Sequence, residues 1–391
     1  MSPAPSRPRT RRRALVLGLA ALALSGCQIG PPTLTPGAGP RLGGSTVDVA
    51  MLLPLDSQRG GDAIISRSME NAARMAAAEQ GGVTVNLRVY NTDGTPATAA
   101  SVAQQAVQDG ADVILGPLRS EATAAVGVAV ANTRVPVLSF SNNTEVAGGN
   151  VFVLGSTFAN TADRIVGHAA RNGAGTIVLV HAANVAGEVA RDAVTGAARG
   201  SGATIAAAIP YEFSQTGVID TVPRVVEAVR ETGATGVLVT SDSAGALPFF
   251  AQLLPENGLD TDEVRMMGLT RWDTPSQTLE FAGLQGGWFA LPDPDAVAAF
   301  EARYAANHGA PPHMLAGLAY DGVRLIAATV AATGGVDGAD LITSGSIQGA
   351  GGALQLLPDG TNRRALAIAQ VTDNQVAIID PAPRRPGGPG L

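Results

Sequence analysis

Residues that could do chemistry are few in this chain of 391 residues, and they rarely stand at catalytic spacing. Its histidines, His168, His181, His308 and His313, are scattered without an H-E-x-x-H motif, and Cys27 is the only cysteine. A zinc site needs several such ligands at characteristic spacings. The chain also has no G-x-S-x-G nucleophile elbow and no G-x-G-x-x-G motif after a predicted strand. We therefore expect no metal, no cofactor and no catalytic residue, which makes an enzyme the least favoured function.

Polar side chains are instead concentrated in loops that follow predicted strands. The candidate ligand-binding residues in these loops are Ser57, Ser120, Ser139, Ser141, Asn142, Asn143, Asn184, Asp242, Thr270, Trp272 and Asp273. Open parallel sheets bind ligands beyond the carboxyl ends of their strands, and backbone N–H groups at helix starts can hold an anion. An alternative stays open for each residue, because Ser, Thr, Asp and Asn also favour helix N-caps where no ligand binds.

The elements that must position these loops alternate between strand and helix. Apolar or alternating runs predict strands at 47–53, 83–90, 112–115, 135–140, 150–154, 176–181, 204–211, 236–240 and 263–269. Helical spacing between them predicts helices from 62 onward and at 97–109, 120–131, 159–172, 187–199, 218–232, 244–254, 295–307 and 314–332. Residues 288–294 are expected to cross between units, and short strands are expected at 353–356, 365–371 and 375–379.

This alternation indicates βαβ units and parallel sheets. Two series of strands favour an α/β protein with two doubly wound parallel-sheet lobes. A (β/α)8 barrel is the competing topology. It ranks lower because the late helices and the terminal short strands do not continue a regular βα cycle.

The charge balance excludes several functions. All 26 cationic side chains are arginine, so the chain lacks the lysine of a P-loop, a kinase phosphate site or a Schiff base. Residues 1–26 contain five arginines and none of the 33 acids, so the remainder carries a formal charge of −12. An acidic body of this kind is not expected to bind nucleic acid.

The amino terminus has the pattern of a secretory signal peptide. A basic stretch at 7–13 precedes an apolar run at 14–24, which is too short to span a membrane. The sequence LSGC that ends at Cys27 resembles a bacterial lipobox, which implies a lipid on that cysteine. The residue after this cysteine is Gln28 and not an aspartate. By analogy with the sorting of known lipoproteins, this implies attachment to the outer membrane rather than the inner one. We expect a signal peptide at 1–26, a Pro/Gly-rich tether at 27–46 and a disordered tail at 381–391.

Several sequence segments resemble those of a known family. The segments VAMLLPL, VILGPLRSEAT, VPVLSFSNNTEV, VFVLGSTF and GLAYDGVRLIAA are similar to the type 1 periplasmic binding fold of the leucine/isoleucine/valine-binding group. The resemblance covers about residues 47–380. It implies two lobes joined by three crossings around a ligand cleft. It also implies that Ser120, Ser139 and Ser141 hold a ligand carboxylate.

The resemblance places the first lobe at 47–155 and 293–340, and the second at 156–292 and 341–380. The loop from Thr270 to Asp273 does not clearly match the acid that holds an α-amino group in amino-acid-binding members, although Asp273 could substitute. The first loop, LDSQRGGDA, also lacks the usual aromatic partner of a ligand side chain.

Together with the lipobox and the tether, four further segments resemble penicillin-binding protein activator lipoproteins. These are SFSNNT, GNVFVLG, LQGGWFALPDP and GLAYDG. The likeness implies a lipid-anchored, non-enzymatic regulator in the periplasm that activates a peptidoglycan synthase by contact. The alternative is a substrate-binding lipoprotein of an ABC transporter for an amino acid or another small polar solute. The expected partners are thus a penicillin-binding protein, a small polar ligand, and the membrane through the lipid alone.

Overall fold

The computed structural model describes residues 45–386. Its strands are β1 (Thr46–Leu53), β2 (Thr84–Asn91), β3 (Val113–Leu115), β4 (Val137–Ser139), β5 (Val151–Val153), β6 (Thr176–Ala182), β7 (Thr204–Tyr211), β8 (Gly236–Val239), β9 (Arg265–Gly268), β10 (Trp288–Pro292), β11 (Ile347–Gly349), β12 (Gly352–Leu356), β13 (Asn362–Arg364), β14 (Leu366–Thr372) and β15 (Gln375–Asp380). Its α-helices are α1 (Asp62–Ala78), α2 (Pro96–Gln108), α3 (Ser120–Ala129), α4 (Phe158–Arg171), α5 (Val185–Ser201), α6 (Gln215–Thr232), α7 (Leu247–Glu256), α8 (Pro294–His308), α9 (Ala316–Thr333) and α10 (Gly338–Thr343).

The predicted signal peptide, Cys27, tether residues 27–44 and tail residues 387–391 lie outside the described residues. Within residues 45–386, no helix is long and apolar enough to cross a membrane.

The first lobe is built on a five-stranded parallel sheet in the order β2-β1-β3-β4-β5. Its central strand β1 is a nearly continuous apolar run because both of its faces are covered. Val49 and Met51 pack with α1 and α9 on one face, whereas Ala50 and Leu52 pack with α2 and α3 on the other. Because successive side chains of a strand point to opposite faces, this continuous apolar run supports helices on both sides of the sheet.

The second lobe is built on a seven-stranded sheet in the order β15-β14-β10-β9-β8-β6-β7. Strands β6 to β10 run parallel, and β14 and β15 extend one edge, where β14 is antiparallel to both β10 and β15. Helices α4 and α5 cover one face, and α6 and α7 cover the other. The expectation that 288–294 is only a crossing is corrected here. Residues Trp288–Pro292 form a mostly buried strand inside the sheet, since both faces of this apolar segment are covered by helices.

A small sheet of β11, β12 and β13 accounts for part of the carboxyl-terminal region. The sequence analysis did not predict β11, β13 or α10. Leu354 and Leu356 of β12 belong to the same core cluster as α1 and α9. The segment expected to be second-lobe, 341–380, therefore divides between the two lobes. Its first part packs on the first lobe, and β14 and β15 join the second sheet.

The chain passes between the lobes three times. It leaves β5 for α4, returns from β10 to α8, and passes from β13 to β14. Mostly parallel sheets in two lobes confirm the predicted α/β fold class.

The expectation of a disordered tail is corrected for residues 381–386. Arg164 Nη2 donates to the Pro381 carbonyl at 3.1 Å, and Gln348 Nε2 donates to the Arg384 carbonyl at 2.7 Å. Ala382 packs against the second-lobe core. These contacts hold a segment whose composition alone predicts no structure.

Candidate functional site

The three crossings join the carboxyl edges of the two sheets. On the first sheet, Val153 N at the end of β5 donates to the Gly360 carbonyl at 2.8 Å. On the second sheet, Pro292 at the end of β10 pairs with Leu366 at the start of β14. The loops that follow the parallel strands of both lobes therefore lie on the same side as the crossings. This is where an open parallel sheet binds its ligands.

The hydroxyl of Ser139 is fully engaged within the first lobe. Its Oγ lies 2.6 Å from Thr123 Oγ1 and 3.1 Å from the Pro117 carbonyl, and it accepts from Ser141 N at 3.0 Å. The side chain is completely buried. Ser139 therefore orders the loop after β4 and leaves no hydrogen-bonding capacity for a ligand carboxylate.

Three other candidates act as caps or turn residues. Ser141 Oγ accepts from Asn143 N at 3.0 Å, and Asn143 Oδ1 accepts from Glu145 N at 3.0 Å at the start of a 3-10 turn. Asn184 Oδ1 accepts from Gly187 N at 2.9 Å and caps α5. For these residues the capping alternative accounts for the side-chain oxygens.

The remaining first-lobe candidates are more open. Ser57 accepts from Arg59 N at 3.1 Å, and Ser120 lies at the first position of α3, 3.5 Å from a Glu121 oxygen. Asn142 is exposed, and a side chain at Gly155 would collide with it. Asn142 is thus the first-lobe candidate whose amide most clearly faces solvent.

The second-lobe candidates separate into open and closed positions. Asp242 is exposed, and Thr270 Oγ1 donates to the Ser241 carbonyl at 3.3 Å. Asp273 receives two hydrogen bonds from Arg271, one of them 2.9 Å from Nε to Oδ1. This hydrogen bond to Asp273 raises the pKa of Arg271, so the two side chains hold each other as an ion pair. Asp273 is therefore committed to a local partner.

The expectation that Trp272 contacts a ligand is corrected by its burial. The indole has no solvent-exposed surface and packs against Phe289, with ring centroids 5.5 Å apart. A Cβ at Gly268 would lie only 2.2 Å from Trp272 Nε1, so the glycine makes room for the ring. Trp272 is a core residue of the second lobe.

An apolar pocket opens among the loops after β7 and β8 at the carboxyl edge of the second sheet. It has a volume of about 210 Å³. Phe213 and Phe249 are 65% and 39% exposed although they are large apolar side chains. Ser214, Gln215 and Gly245 also line the pocket. Sequence analysis missed this pocket. An exposed phenylalanine directly after a strand, in the segment YEFSQ, was the available signal.

A buried polar network holds the crossings, and sequence analysis missed it as well. Arg364 donates from Nε and Nη2 to the Leu154 carbonyl at 3.2 and 2.6 Å, and from Nη1 to Asp321 Oδ2 at 3.0 Å. The second oxygen of Asp321 accepts from Ala350 N at 2.6 Å. The available signal was a lone acid, Asp321, in the mostly apolar helix segment GLAYDGVRLIAA.

Two asparagines extend this network. Asn362 Nδ2 donates to the carbonyls of Val153 and Gly155 at 2.9 and 2.8 Å. Asn160 Nδ2 donates to the Asn362 carbonyl at 2.8 Å, while Asn160 also forms a reciprocal capping box with Thr157 at the start of α4. The first and third crossings are therefore bound to each other side by side.

A second buried cluster fixes β15 and the tail to α4. Arg164 Nη1 and His168 Nδ1 lie 2.8 and 3.0 Å from the same Asp380 oxygen. Burial alone would raise the pKa of Asp380, but the hydrogen bonds from Arg164 and His168 outweigh it and hold the pKa below its usual range. Burial lowers the pKa of His168 despite the attraction of Asp380. The Trp288 ring packs edge-on against His168 with centroids 4.9 Å apart.

Within the part of the chain that the structure describes, no group of three or more His, Cys, Asp or Glu side chains could hold a metal ion. His168 and His313 have side-chain hydrogen bonds within the second and first lobes, respectively. His168 belongs to the Asp380 cluster, and His313 Nδ1 accepts from Leu315 N at 3.2 Å.

Comparison with solved structures shows the same fold in binding proteins of transporters. A chain described as part of a branched-chain amino acid ABC transporter from Rhodospirillum rubrum matches with a TM-score of 0.72 at 18% identity, covering 85% of this chain and 100% of that one. An ABC transporter substrate-binding protein from Desulfitobacterium hafniense, in complex with Leu, matches with a TM-score of 0.61 at 16% identity, covering 85% and 100%.

A solute-binding protein of an ABC transporter from Rhodopseudomonas palustris BisB5, in complex with 3,4-dihydroxybenzoic acid, matches with a TM-score of 0.57 at 21% identity, covering 86% and 97%. At these identities the likeness shows the fold. A search of curated protein sequences finds no significant match.

The family profile described as "Periplasmic binding protein" matches residues 46–375, which is most of the chain. The match spans both sheets, the three crossings and nearly all of the loops described above. The chain therefore belongs to the periplasmic binding protein family.

Proposed function

We propose that this protein is the substrate-binding component of an ABC transporter, which captures a small solute between its two lobes in the periplasm. The observation that carries the proposal is the meeting of the two carboxyl edges at three crossings, with an open pocket on the second edge. The similar solved structures named above are described as parts of ABC transporters, which supports this role over regulation.

The lining of the edge favours a solute with an apolar or aromatic part and a few polar groups. Phe213 and Phe249 offer ring faces, and the exposed Asn142 and Asp242 offer hydrogen-bonding groups from opposite lobes. A free amino acid is less favoured, because Asp273 is paired with Arg271 and Trp272 is buried. Aromatic side chains with few polar anchors are the usual composition of small-molecule sites.

Closure of the lobes would bring these groups together. In such hinge motions, a few residues at the ends of elements absorb the change while the lobes move as rigid bodies. The paired crossings here are held by Arg364, Asn362 and Asn160, so bending is expected in the short links that flank this network. A solute that contacts both lobes stabilises the closed form by its differential affinity.

Ligand screening tests this proposal. The chain from Cys27 onward is mixed with branched-chain amino acids, hydroxybenzoates and neutral sugars, and melting temperatures are compared. A solute at 100 times its Kd raises the unfolding free energy by about 2.7 kcal/mol.

For each hit, calorimetry compares wild type with F213S/F249S and with V128S, a matched control whose exposed valine lies on α3 outside the pocket. We expect the double variant to lose at least about tenfold in affinity, since apolar ring contacts are removed, and V128S to retain it. Absence of any hit, or equal affinity of all three proteins, would contradict the proposal.

A second candidate is a regulator that activates a peptidoglycan synthase by contact. One observation favours it: the first-lobe hydroxyl groups expected to hold a ligand, Ser139 and Ser141, are engaged in their own loop. Exposed apolar side chains such as Ile64, Val185 and Phe213 near the strand ends would then serve a protein partner. A pull-down from crosslinked envelopes separates the two roles. Recovery of permease subunits supports transport, and recovery of a penicillin-binding protein supports regulation.

Attachment to the outer membrane through a lipid on Cys27 is part of both candidates. Each buried methylene contributes about 0.8 kcal/mol, and stable anchoring takes more than one acyl chain. Palmitate labelling of wild type and of C27S, followed by membrane separation, tests it. We expect label in the outer-membrane fraction of wild type alone; equal labelling of C27S would exclude the anchor.

A further inference from the structure

A second cavity lies on the outer face of α4 and α5 and shares no lining residue with the pocket of Phe213 and Phe249. It has a volume of about 460 Å³ and reaches the third crossing and the tail. We call it the arginine groove; its charged lining residues are Asp163, Arg164, Arg171, Arg363 and Arg364. Arginines are concentrated here although the chain as a whole has a formal charge of −7.

The four arginines of the groove differ in what they bind. Arg164 is held by Asp380, and Arg364 is held by Asp321, so the charges of both are matched by buried carboxylates. The side chains of Arg171 and Arg363 form no salt bridge or hydrogen bond with any residue in the described range 45–386, although the backbone of each is bonded within α4 and β13. The Asp163 carboxylate likewise forms no hydrogen bond or salt bridge there, although the positive charge of Arg363 favours its ionised form. The groove thus offers two available guanidinium groups and one available carboxylate.

Glycines keep the groove open. A Cβ at Gly167 would lie 3.5 Å from Arg171 Nη1, so the Arg171 guanidinium lies over this glycine of its own helix. On α5, a Cβ at Gly196 or Gly200 would have no neighbour within 4 Å. Glycine weakens a helix interior by about 1 kcal/mol relative to alanine, and α5 carries two in successive turns beside the cavity.

We propose that the arginine groove binds a small carboxylate that also carries a hydrogen-bond donor, at a site separate from the cleft between the lobes. Arg171 and Arg363 hold the ligand carboxylate, since guanidinium groups bind carboxylates in charge-assisted and often bidentate pairs. Asp163 accepts from the ligand's donor, which is an ammonium in an amino acid or a hydroxyl in a sugar acid. The proposal does not depend on solute binding at the carboxyl edges.

Calorimetry at low ionic strength tests the groove with three probes. L-glutamine represents the ammonium-bearing carboxylate, D-glucuronate represents the hydroxyl-bearing one, and glucose is the uncharged control. We expect one of the two carboxylates to bind and glucose not to bind. Low salt is chosen because exposed charge pairs are screened.

Variants locate the binding. R171Q/R363Q should weaken it by at least about tenfold, as expected for loss of a charged hydrogen-bond partner. R199Q is the matched control, because Arg199 lies on α5 between the two glycines in sequence but does not line the groove. G200L fills the groove without meeting a neighbour at its Cβ, and it should also weaken binding. D163N distinguishes the ligands: an ammonium ligand loses affinity and a hydroxyl ligand keeps most of it.

Three results would overturn the proposal. Neither carboxylate binds wild type; R171Q/R363Q binds as wild type does; or F213S/F249S removes the same binding, which would place the ligand at the carboxyl edge. The last result would leave the transport function intact while excluding the groove, so the two proposals fail separately.

Discussion

The crossings and the carboxyl-edge loops are both rich in polar residues, but they use them in opposite ways. At the crossings, Asp321, Asn362 and Arg364 are mostly buried and bind backbone carbonyls or each other across large separations in sequence. In the loops, Asn143, Asn184 and Ser141 bind N–H groups two or three residues away. The crossing network sets how the lobes are connected, whereas the loop bonds set only local turns.

This difference predicts where substitutions affect folding and where they affect binding. A buried ionic group without its partner loses hydration without compensation, whereas an exposed one returns to water. We therefore expect stability effects to concentrate at the crossings and binding effects at the loops.

The largest effect is expected for R364M. It leaves Asp321 buried without its cation and removes two bonds to the Leu154 carbonyl, so it should lower the free energy of unfolding by about 3–5 kcal/mol. R74Q breaks an exposed pair with Glu70 on α1 and should cost at most about 1 kcal/mol. Urea unfolding of both variants measures the contrast. Similar losses of stability in the two variants would show that the crossing network stabilises the fold no more than an exposed ion pair does.

A loss of about 3 kcal/mol or more is expected for W272A, because removal of a fully buried indole leaves a cavity. Any ligand that binds wild type should bind the folded variant with unchanged affinity, since Trp272 belongs to the core. I64A, which truncates a side chain that is 71% exposed, should change stability by less than about 0.5 kcal/mol. If W272A loses affinity at a temperature where it remains folded, Trp272 contributes to ligand binding and the prediction is wrong.

The cluster of α4 and β15 should make stability depend on pH. Burial holds the pKa of His168 below its ordinary value of about 6.5, so the unfolded chain takes up a proton first as pH falls. Stability should therefore decrease below about pH 6.5 until the folded imidazole is also protonated. The groups that face His168 are Asp380, Arg164, Arg171, Asn172 and Trp288.

H168N should flatten this decrease, which thermal melts at pH 7.5, 6 and 5 would reveal. The contribution of Asp380 behaves differently, because its pKa is depressed: it is present above about pH 3.9 and is lost only as pH falls through the lower folded value. D380N should cost about 2 kcal/mol at neutral pH, as expected for hydrogen bonds to charged groups. An unchanged pH profile in H168N would assign the acid sensitivity to other groups.

The smallest stability effect is expected for D242N and N142A at the exposed loops. Both should unfold within about 0.5 kcal/mol of wild type, because neither side chain is buried. Affinity for a solute captured at the carboxyl edges should nevertheless fall in both. Normal affinity in both variants would leave Phe213 and Phe249 as the remaining contacts of the site.

The pattern of strands and helices was largely predictable because it depends on local periodicity. The run VDVAMLL predicted β1, and GVLVT predicted β8 to within a residue. The misses have a tertiary cause. Strands β11 (IQG) and β13 (NRR) lack the apolar run that predicted the equally short β3, β4 and β5. The segment WFALPDP contains a strand because a neighbouring antiparallel strand, distant in sequence, pairs with it.

The candidate site was predicted less well than the fold. The position of the loops followed from the rule on carboxyl edges, but the environment of each side chain did not. Trp272 and Asp242 occupy comparable post-strand loops in sequence, yet one is fully buried and the other exposed. Residue type favours this difference, but the space that receives the indole is formed by Gly268 and Phe289, which folding brings against it.

The sequence by itself determined the alternation of strand and helix, the two series of parallel strands and the scarcity of catalytic groups, since these depend on residue type and short-range spacing. The tertiary structure alone decided which polar side chains are already bound to other groups of the protein. Arg364 meets Leu154, and Arg164 meets Asp380, across more than two hundred residues. It likewise decided that Arg171 and Arg363 line one groove, where their side chains form no hydrogen bond or salt bridge with the described residues. The physical reason is that the free energy of a polar group depends on burial and on neighbours brought together by folding, and neither is encoded in local spacing.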